Sequence, residues 1–546
     1  MRFLCIVALS VVAWSADALY DPAREYVESA AVAARYPDPA IDIDTPGLAP
    51  DHDDFASHDE LIAFVDRLSR RSRDLRVRTI GRSQERRAIP LLVFARPAAA
   101  AGPELQKNGK PTVLIIGLQH GNEPAGGEAA LAFAAELATD AGSQRLERVN
   151  VLIVPRANPD GAHHFVRGLA NGADLNRDHL LQATPEGRAL GRVFTDYQPD
   201  VVLDCHEFGV KTRWVEKFAG LQRHDALIQY ATVSNVPHVL TDASESIFRE
   251  PLLRALSTAG LSHSWYYTSS YDPNDRVVSM GGVLPDTGRN IAGLRNAVSF
   301  LIETRGVGIG RAHFKRRVHT HLIAMRSFVD SASANADAVL TLTRAARIAV
   351  AKTAGKGDLV VLGAATRTRH TIELIDPDSG VDKPVDVEWR DALAIDVRQK
   401  RARPWAYVLP ASETIAAKRL ARLGATVLQL RQGGTIAVER YRITRADEAK
   451  KDDVRRNDDD APASVVRIET VTEPAEIIAN AGDFYVPLDQ PLANLIAAAL
   501  EPETQSSYAA NRMLSLPQAR SGETAYLPLY RVPIAVEVAT VAIDSD

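Results

Sequence analysis

The sequence predicts an α/β fold, and three observations predict it. Four short apolar runs, at Thr112–Gly117 (TVLIIG), 149–155 (VNVLIVP), 201–205 (VVLDC) and 298–302 (VSFLI), are bounded by Gly, Pro, Asn and Asp and read as buried strands. Segments rich in Ala and Leu follow them and read as helices. Each run also leads into polar residues of a chemically useful kind: Leu118-Gln119-His120-Gly121-Asn122-Glu123, Asn158-Pro159-Asp160-Gly161, His206-Glu207 and Glu303. Ligands of such sheets bind in the crevice outside the carboxyl ends of the strands. His120, Glu123, His206 and Glu303 are therefore expected to converge although the sequence scatters them.

Along the chain, residues 1–18 (MRFLCIVALSVVAWSADA) carry one positive charge at Arg2, an apolar stretch at 3–14 and small residues at Ala16 and Ala18. This is the pattern of a cleaved secretory signal, too short for a membrane span, and it predicts a secreted or periplasmic protein with no stable membrane insertion after cleavage. Of the two cysteines, Cys5 falls in that signal, so the mature chain keeps one thiol, Cys205, and no internal disulfide. Residues 19–54, rich in Ala, Asp and Pro, read as an extended lead-in with a short helix. A compact unit is expected over 55–310. It opens on a helix that Ser57 caps, with Leu61, Phe64, Val65 and Leu68 on one face, followed by an edge hairpin at 76–80 and 89–94. Residues 311–355 are basic and amphipathic and read as one or two connecting helices that end before Gly355-Lys356-Gly357. Beyond them, 356–546 reads as a β-rich accessory domain, with strands at 359–363, 369–374, 384–389, 465–471 and 484–487 and an αβ piece at 414–430. The charge run 447–460 (DEAKKDDVRRNDDD) reads as a solvated loop.

A chain of 546 residues with 46% hydrophobic content is long enough for two or three cored units. Its formal net charge of -5 offers no broad basic surface, which argues against a protein that binds nucleic acid through phosphate neutralisation.

The residue types at the strand ends point to zinc. Hydrolytic zinc sites take three ligands from His and carboxylate side chains and leave a position open for water, two ligands lying close in sequence and the third on another element. His120 and Glu123 are the close pair and His206 the third. An isolated HxxE is common on ordinary surface helices, so the weight rests on the set together with NPDG at 158–161 and Glu303. Cys205 beside His206 suggests a thiol nucleophile, but alternation along a strand turns it into the sheet if His206 faces the metal. His163 and His164 are loop histidines beside NPDG and need not touch metal. Asn158 and Asp160 read as turn residues that shape the site.

With these residues in place the chain resembles the zinc carboxypeptidase family of metallopeptidases. The resemblance is carried by His120-Gly-Asn-Glu123, Asn158-Pro-Asp-Gly161, Asp174-Leu-Asn-Arg177, Leu203-Asp-Cys-His206 and Phe300-Leu-Ile-Glu303-Thr-Arg305, in that order, and covers 55–310. It implies a mixed central sheet flanked by helices and a zinc-dependent metallocarboxypeptidase with one zinc per chain, held by His120, Glu123 and His206. It further implies that Glu303 is the general base toward a zinc-activated water and that Arg167 faces the carbonyl oxygen as charge develops on it. Asn176 and Arg177 would grip the free C-terminal carboxylate of a peptide or protein substrate, and Asp174 would accept the second ring N–H of His120.

Three departures bear on this. Gly121-Asn122 stands where digestive members have an arginine, and HGNE is shared by regulatory carboxypeptidases and acyl-amino-acid deacylases. The family's mobile tyrosine has no counterpart in 280–290 (MGGVLPDTGRN), and Tyr266, Tyr267 and Tyr271 substitute only if a loop folds back. Arg289 either reaches the site, which would favour acidic groups, or is a loop arginine paired with Asp286. Two other readings stand beside a carboxypeptidase: a zinc amidohydrolase acting on cell-wall peptides or acylated amino acids, and an inactive relative that binds peptide or carbohydrate. The intact His120, Glu123, His206 and Glu303 argue against the last.

Overall fold

The four apolar runs lie in one eight-stranded mixed sheet in the structure, a computed structural model that describes residues 20–50, 52–451, 453, 464–517 and 524–543. The expected signal at 1–18 and most of the charge run beyond 451 lie outside the described residues. The strands are β1 (Leu75–Arg82), β2 (Ala88–Phe94), β3 (Thr112–Gly117), β4 (Asn150–Val154), β5 (Val201–Gly209), β6 (Ala226–Tyr230), β7 (His263–Trp265) and β8 (Val298–Val307). Their spatial order is β1-β2-β4-β3-β5-β8-β6-β7. The central pairs β4/β3, β3/β5 and β5/β8 are parallel, and the β1/β2 hairpin at the edge is antiparallel.

Both faces of the centre are covered, which is why β3 is apolar at almost every position rather than alternating. Val113 and Ile115 pack on Ala129 and Phe133 of the helix Pro124–Leu137 and on Val318 and Met325 of the helix Phe314–Ala334. Leu114 and Ile116 face the other way and belong to a separate core cluster that includes Leu190 and Phe194 of the helix Pro185–Tyr197. The helix His58–Arg71 starts where Ser57 predicts: its hydroxyl accepts from the Glu60 N–H while the Glu60 carboxylate accepts from the Ser57 N–H.

Two of the apolar runs turn out to be the first halves of longer strands. β5 and β8 continue through His206 and Glu303 because each supplies the other's ladder, with Glu303 opposite His206 and Arg305 opposite Phe208. The runs expected at 359–363 and 369–374 are likewise one strand, Asp358–Ile375, paired along its length with Asp382–Ala402. That hairpin belongs to a five-stranded sheet together with Val277–Ser279. The rest of the C-terminal half builds a seven-stranded sheet that includes the hairpin Gly434–Lys450 and Ser464–Ala479, and the αβ piece appears as Thr414–Arg422 and Leu428–Leu430. Two helices, Phe314–Ala334 and Ala336–Ala351, precede it. Among the described residues no helix is long and apolar enough to cross a membrane.

Candidate active site

His120, Glu123 and His206 arrive from three local structures. After β3 the chain turns sharply at Leu118, whose φ of 56° is left-handed, and His120 follows in the loop. Glu123 is the N-cap residue of the helix Pro124–Leu137, and His206 lies within β5. Gly121 lets this loop dock: a Cβ there would lie 1.8 Å from the carbonyl carbon of Gly161, so the HGNE and NPDG segments touch backbone to backbone.

The three side chains are buried and their ligand atoms converge. His120 Nδ1 is 2.8 Å from Glu123 Oε1, His206 Nδ1 is 2.8 Å from Glu123 Oε2, and the two Nδ1 atoms are 3.0 Å apart. Two ring nitrogens and a carboxylate this close, all within 4.8 Å of one another, form a donor set of the kind that holds a divalent cation. Each imidazole is oriented from behind. His120 Nε2 lies 3.0 Å from Asp174 Oδ1, and His206 Nε2 lies 2.9 Å from Asp204 Oδ1. A carboxylate at Nε2 draws the ring proton there and leaves the Nδ1 lone pair for a metal. Burial opposes charge on His206, yet the Asp204 carboxylate and the bonds to Asp204 and Glu123 outweigh it and push its pKa up to about 10. Burial likewise opposes the anions of Asp174 and Glu123. Arg167, His120 and Arg177 hold the Asp174 carboxyl well below the usual range, and His120 and His206 do the same for Glu123.

Asp204 was in view only as part of the motif at 203–206, and nothing in that reading gave it a task. Period-two alternation could have found it, since 204 and 206 share a strand face. The Gln119 side chain steadies it further, donating to its Oδ1 at 2.6 Å.

The remaining expected residues surround this centre. Glu303, 3% exposed, pairs in register with His206 on the adjacent parallel strand and lines a cleft of about 190 Å³ together with Glu123 and Arg167. Arg167 Nη1 lies 3.2 Å from both His120 Nδ1 and Glu123 Oε1, and its Nη2 donates to Asp174 Oδ2 at 2.8 Å. Asn176 Nδ2 is 3.2 Å from His206 Nε2, and its Oδ1 accepts from the Gly288 N–H. Arg177 is next in the chain and grips a carboxylate: its Nη2 is 2.7 Å and its Nε 2.8 Å from Asp453 Oδ2. Tyr266, Tyr267 and Tyr271 all line the same cleft, so the segment folds back. Tyr266 packs where a Cβ on Gly281 would meet its ring at 3.0 Å.

Other side chains are committed elsewhere. Glu207 accepts from the Ala125 N–H at 2.9 Å and from Arg317 Nε at 2.8 Å. Cys205 packs in the core cluster behind the sheet, where burial raises its thiol pKa well above the usual value. The Arg305 guanidinium meets Glu28 and the Gln222 carbonyl. His164 pairs with Glu85, and Asp160 accepts from Ser83 and the Glu85 N–H. Asp286 has ion pairs with Arg177 at 3.8 Å and Lys451 at 3.5 Å, while Arg289, 3% exposed, donates to the Gly282 carbonyl at 3.1 Å. Arg177, Asp286 and Arg289 line a second cavity of about 480 Å³, which adjoins the first across Tyr266 and Thr268.

A buried cation site beside a buried carboxylate, with guanidinium groups on two sides, is an arrangement that can polarise a carbonyl, take up a proton and hold an anion. The family described as zinc carboxypeptidase matches residues 61–212. Carboxypeptidase 2 of Trichophyton equinum is 28% identical over 531 residues, covering 93% of this chain and 96% of that protein. A probable carboxypeptidase 2 of Arthroderma benhamiae is 29% identical over 466 residues, covering 81% and 87%. Among solved structures, a metallo-carboxypeptidase from Burkholderia cenocepacia is 20% identical with a TM-score of 0.37, covering 50% of this chain and 70% of that one.

Proposed function

The chain belongs to the zinc carboxypeptidase family and is a metallopeptidase, and from that premise we propose that it removes the C-terminal residue of peptides or proteins with one zinc per chain. The observation that carries the reading is the step from ligand to grip within one dipeptide. Asn176 leans on His206, and Arg177, the next residue, already holds a carboxylate at 2.7 Å. A substrate α-carboxylate in that grip brings the last peptide bond, rather than an internal one, against Glu303.

His120, Glu123 and His206 fit zinc by type, burial and convergence, and the metal would supply a polarised carbonyl and a more acidic water. Asp174 and Asp204 keep Nδ1 of each imidazole available. Arg167 offers N–H donors to the oxygen on which negative charge develops, where a fixed cation acts far more strongly than in bulk water. Glu303 takes the proton of the attacking water and returns it to the departing amine. The Asn176–Arg177 pair sets the register.

Mass spectrometry of an unblocked peptide incubated with the zinc-loaded chain tests the proposal. Stepwise loss of single C-terminal residues is expected, with one zinc per chain by metal analysis and loss of that zinc in His206→Ala. Internal cleavage, or full zinc content in the variant, contradicts it.

A further inference from the structure

β5 and β8 present two layers at the metal centre. In front, His206 stands opposite Glu303 in the parallel ladder; one residue on, Glu207 stands opposite Thr304, and alternation turns that pair to the rear. Glu207 is 2% exposed, and its carboxylate meets three elements there. Its Oε2 accepts from the Ala125 N–H at 2.9 Å, in the first turn of the helix Pro124–Leu137. Its Oε1 accepts from Arg317 Nε at 2.8 Å and lies 3.4 Å from the Thr304 hydroxyl. Arg317 is itself buried and donates from Nη1 to the Gly310 and Ala312 carbonyls. β8 leaves room for this pair: its ladder with β5 skips Gly306, where a Cβ would lie 1.9 Å from Glu207 Oε1 and 2.9 Å from Arg317 Nε.

A helix begins with N–H groups that its own residues do not accept, and the N-cap side chain ordinarily takes one of them. Glu123 is the N-cap residue here, and its side chain makes no such bond, because it is turned toward His120 and His206. Glu207 accepts in its place from the second residue of the helix, and its negative charge suits the positive end of the helix dipole. The backbone adds another tie, the Glu207 N–H donating to Glu123 Oε2 at 3.1 Å. A buried ion pair is a weak source of stability, since desolvation offsets most of the attraction, and its best-attested use is to fix a register. Resting on the metal reading of this site, we propose that Glu207, with Arg317 as its counter-ion, is a positioning residue for the metal centre: it caps, from the neighbouring strand, the helix that Glu123 begins, and so leaves the Glu123 carboxylate free to ligate. One carboxylate behind the sheet thereby holds in register the helix that follows Glu123, the strand that carries His206 and the strand that carries Glu303.

The test is zinc affinity, read on the full chain by competition with a chelator, in the double variant Glu207→Leu with Arg317→Met. Removing both charges of a buried pair together is often neutral for stability, so thermal unfolding of the metal-free chain should stay near wild type. Zinc affinity should nonetheless fall by about 10- to 100-fold, the usual effect of losing a group that orients a ligand. At saturating zinc, kcat should fall while KM for an unblocked peptide stays near wild type, because Arg177 is untouched. Gly306→Ala keeps both charges but displaces the Glu207 carboxylate, so it should lower zinc affinity too, and it decides the matter if the double variant fails to fold. Val339→Ala, which opens a cavity in the core under the helix Ala336–Ala351, should lower the unfolding temperature with zinc affinity unchanged. Wild-type affinity in the folded double variant, or in Gly306→Ala where the double variant does not fold, overturns the proposal and leaves the metal site standing, as does an equal loss of affinity in Val339→Ala. A wild-type chain that holds no zinc overturns both.

Discussion

Asp204 and Asp174 do the same work for two different imidazoles, each taking the Nε2 proton so that Nδ1 points at the ligand position. Replacing such a partner typically costs about 10- to 100-fold in metal affinity, so Asp204→Asn should release zinc to a competing chelator at correspondingly lower chelator strength. Unchanged affinity would mean that packing alone orients His206. Glu303→Gln separates a base from a ligand: zinc content and thermal unfolding should stay near wild type while kcat falls by about 10²- to 10⁴-fold. Loss of zinc with activity would make Glu303 a ligand. Near-normal turnover would shift the base elsewhere, and not to Glu207, whose carboxylate is bound by Ala125 and Arg317. The convergence of His120, Glu123 and His206, with Glu303 opposite His206, was legible in the sequence because these residue types sit at the ends of apolar runs. Tyr266, Tyr267 and Tyr271 were legible only on the condition that a loop folds back, because they reach the cleft by packing of a segment remote in sequence, Tyr266 against Gly281.

At the scale of elements, β3 and β4 were readable because strands buried on both faces are apolar throughout, whereas β5 and β8 were read short. Their second halves carry His206, Glu207, Glu303 and Arg305, and pairing of β5 with β8, and of β8 with β6, keeps them extended, a long-range cause that a local window does not contain. The same holds for Asp358–Ile375 and Asp382–Ala402, whose polar exposed positions break an apolar pattern while the ladder runs on. The N-terminal lead-in is bound more firmly than its composition suggests. Val32 and Tyr36 are buried, Ser29 caps a short helix, and Glu28 joins Arg305 and His313 at the end of β8. Burial works against the Glu28 anion, but His313 and Arg305 lower its pKa from 4.5 to about 2. A depressed carboxyl pKa stabilises the folded state above the unfolded value, and that contribution is lost as pH falls toward the folded value. Hydrogen exchange over 20–36, corrected for the intrinsic rate, should therefore lose protection progressively below pH 4.5, and Glu28→Gln should lack that dependence at a lower overall protection. Protection that is flat with pH in the wild type would show that Glu28 does not anchor the lead-in.

For the whole molecule, residues of the C-terminal half reach Arg177 and Asp286. No catalytic spacing marks residues 356–546, yet Asp453 occupies the Arg177 guanidinium and Lys451 reaches Asp286. Such contacts depend on how distant sheets pack, so spacing along the chain carries no trace of them. If Asp453 stands where a substrate carboxylate binds, Asp453→Asn should lower KM for unblocked peptides severalfold with little change in kcat. A raised KM would instead make Asp453 part of the binding surface. The central claim is that a free C-terminal carboxylate is what this enzyme recognises, and the most direct measurement compares one peptide with its C-terminal amide, in the wild type and in Arg177→Ala. The account predicts that the free acid is cleaved about ten- to a hundredfold faster, as a charge-assisted grip of this kind supports, and that Arg177→Ala erases most of the difference. Equal rates on acid and amide in the wild type would contradict it.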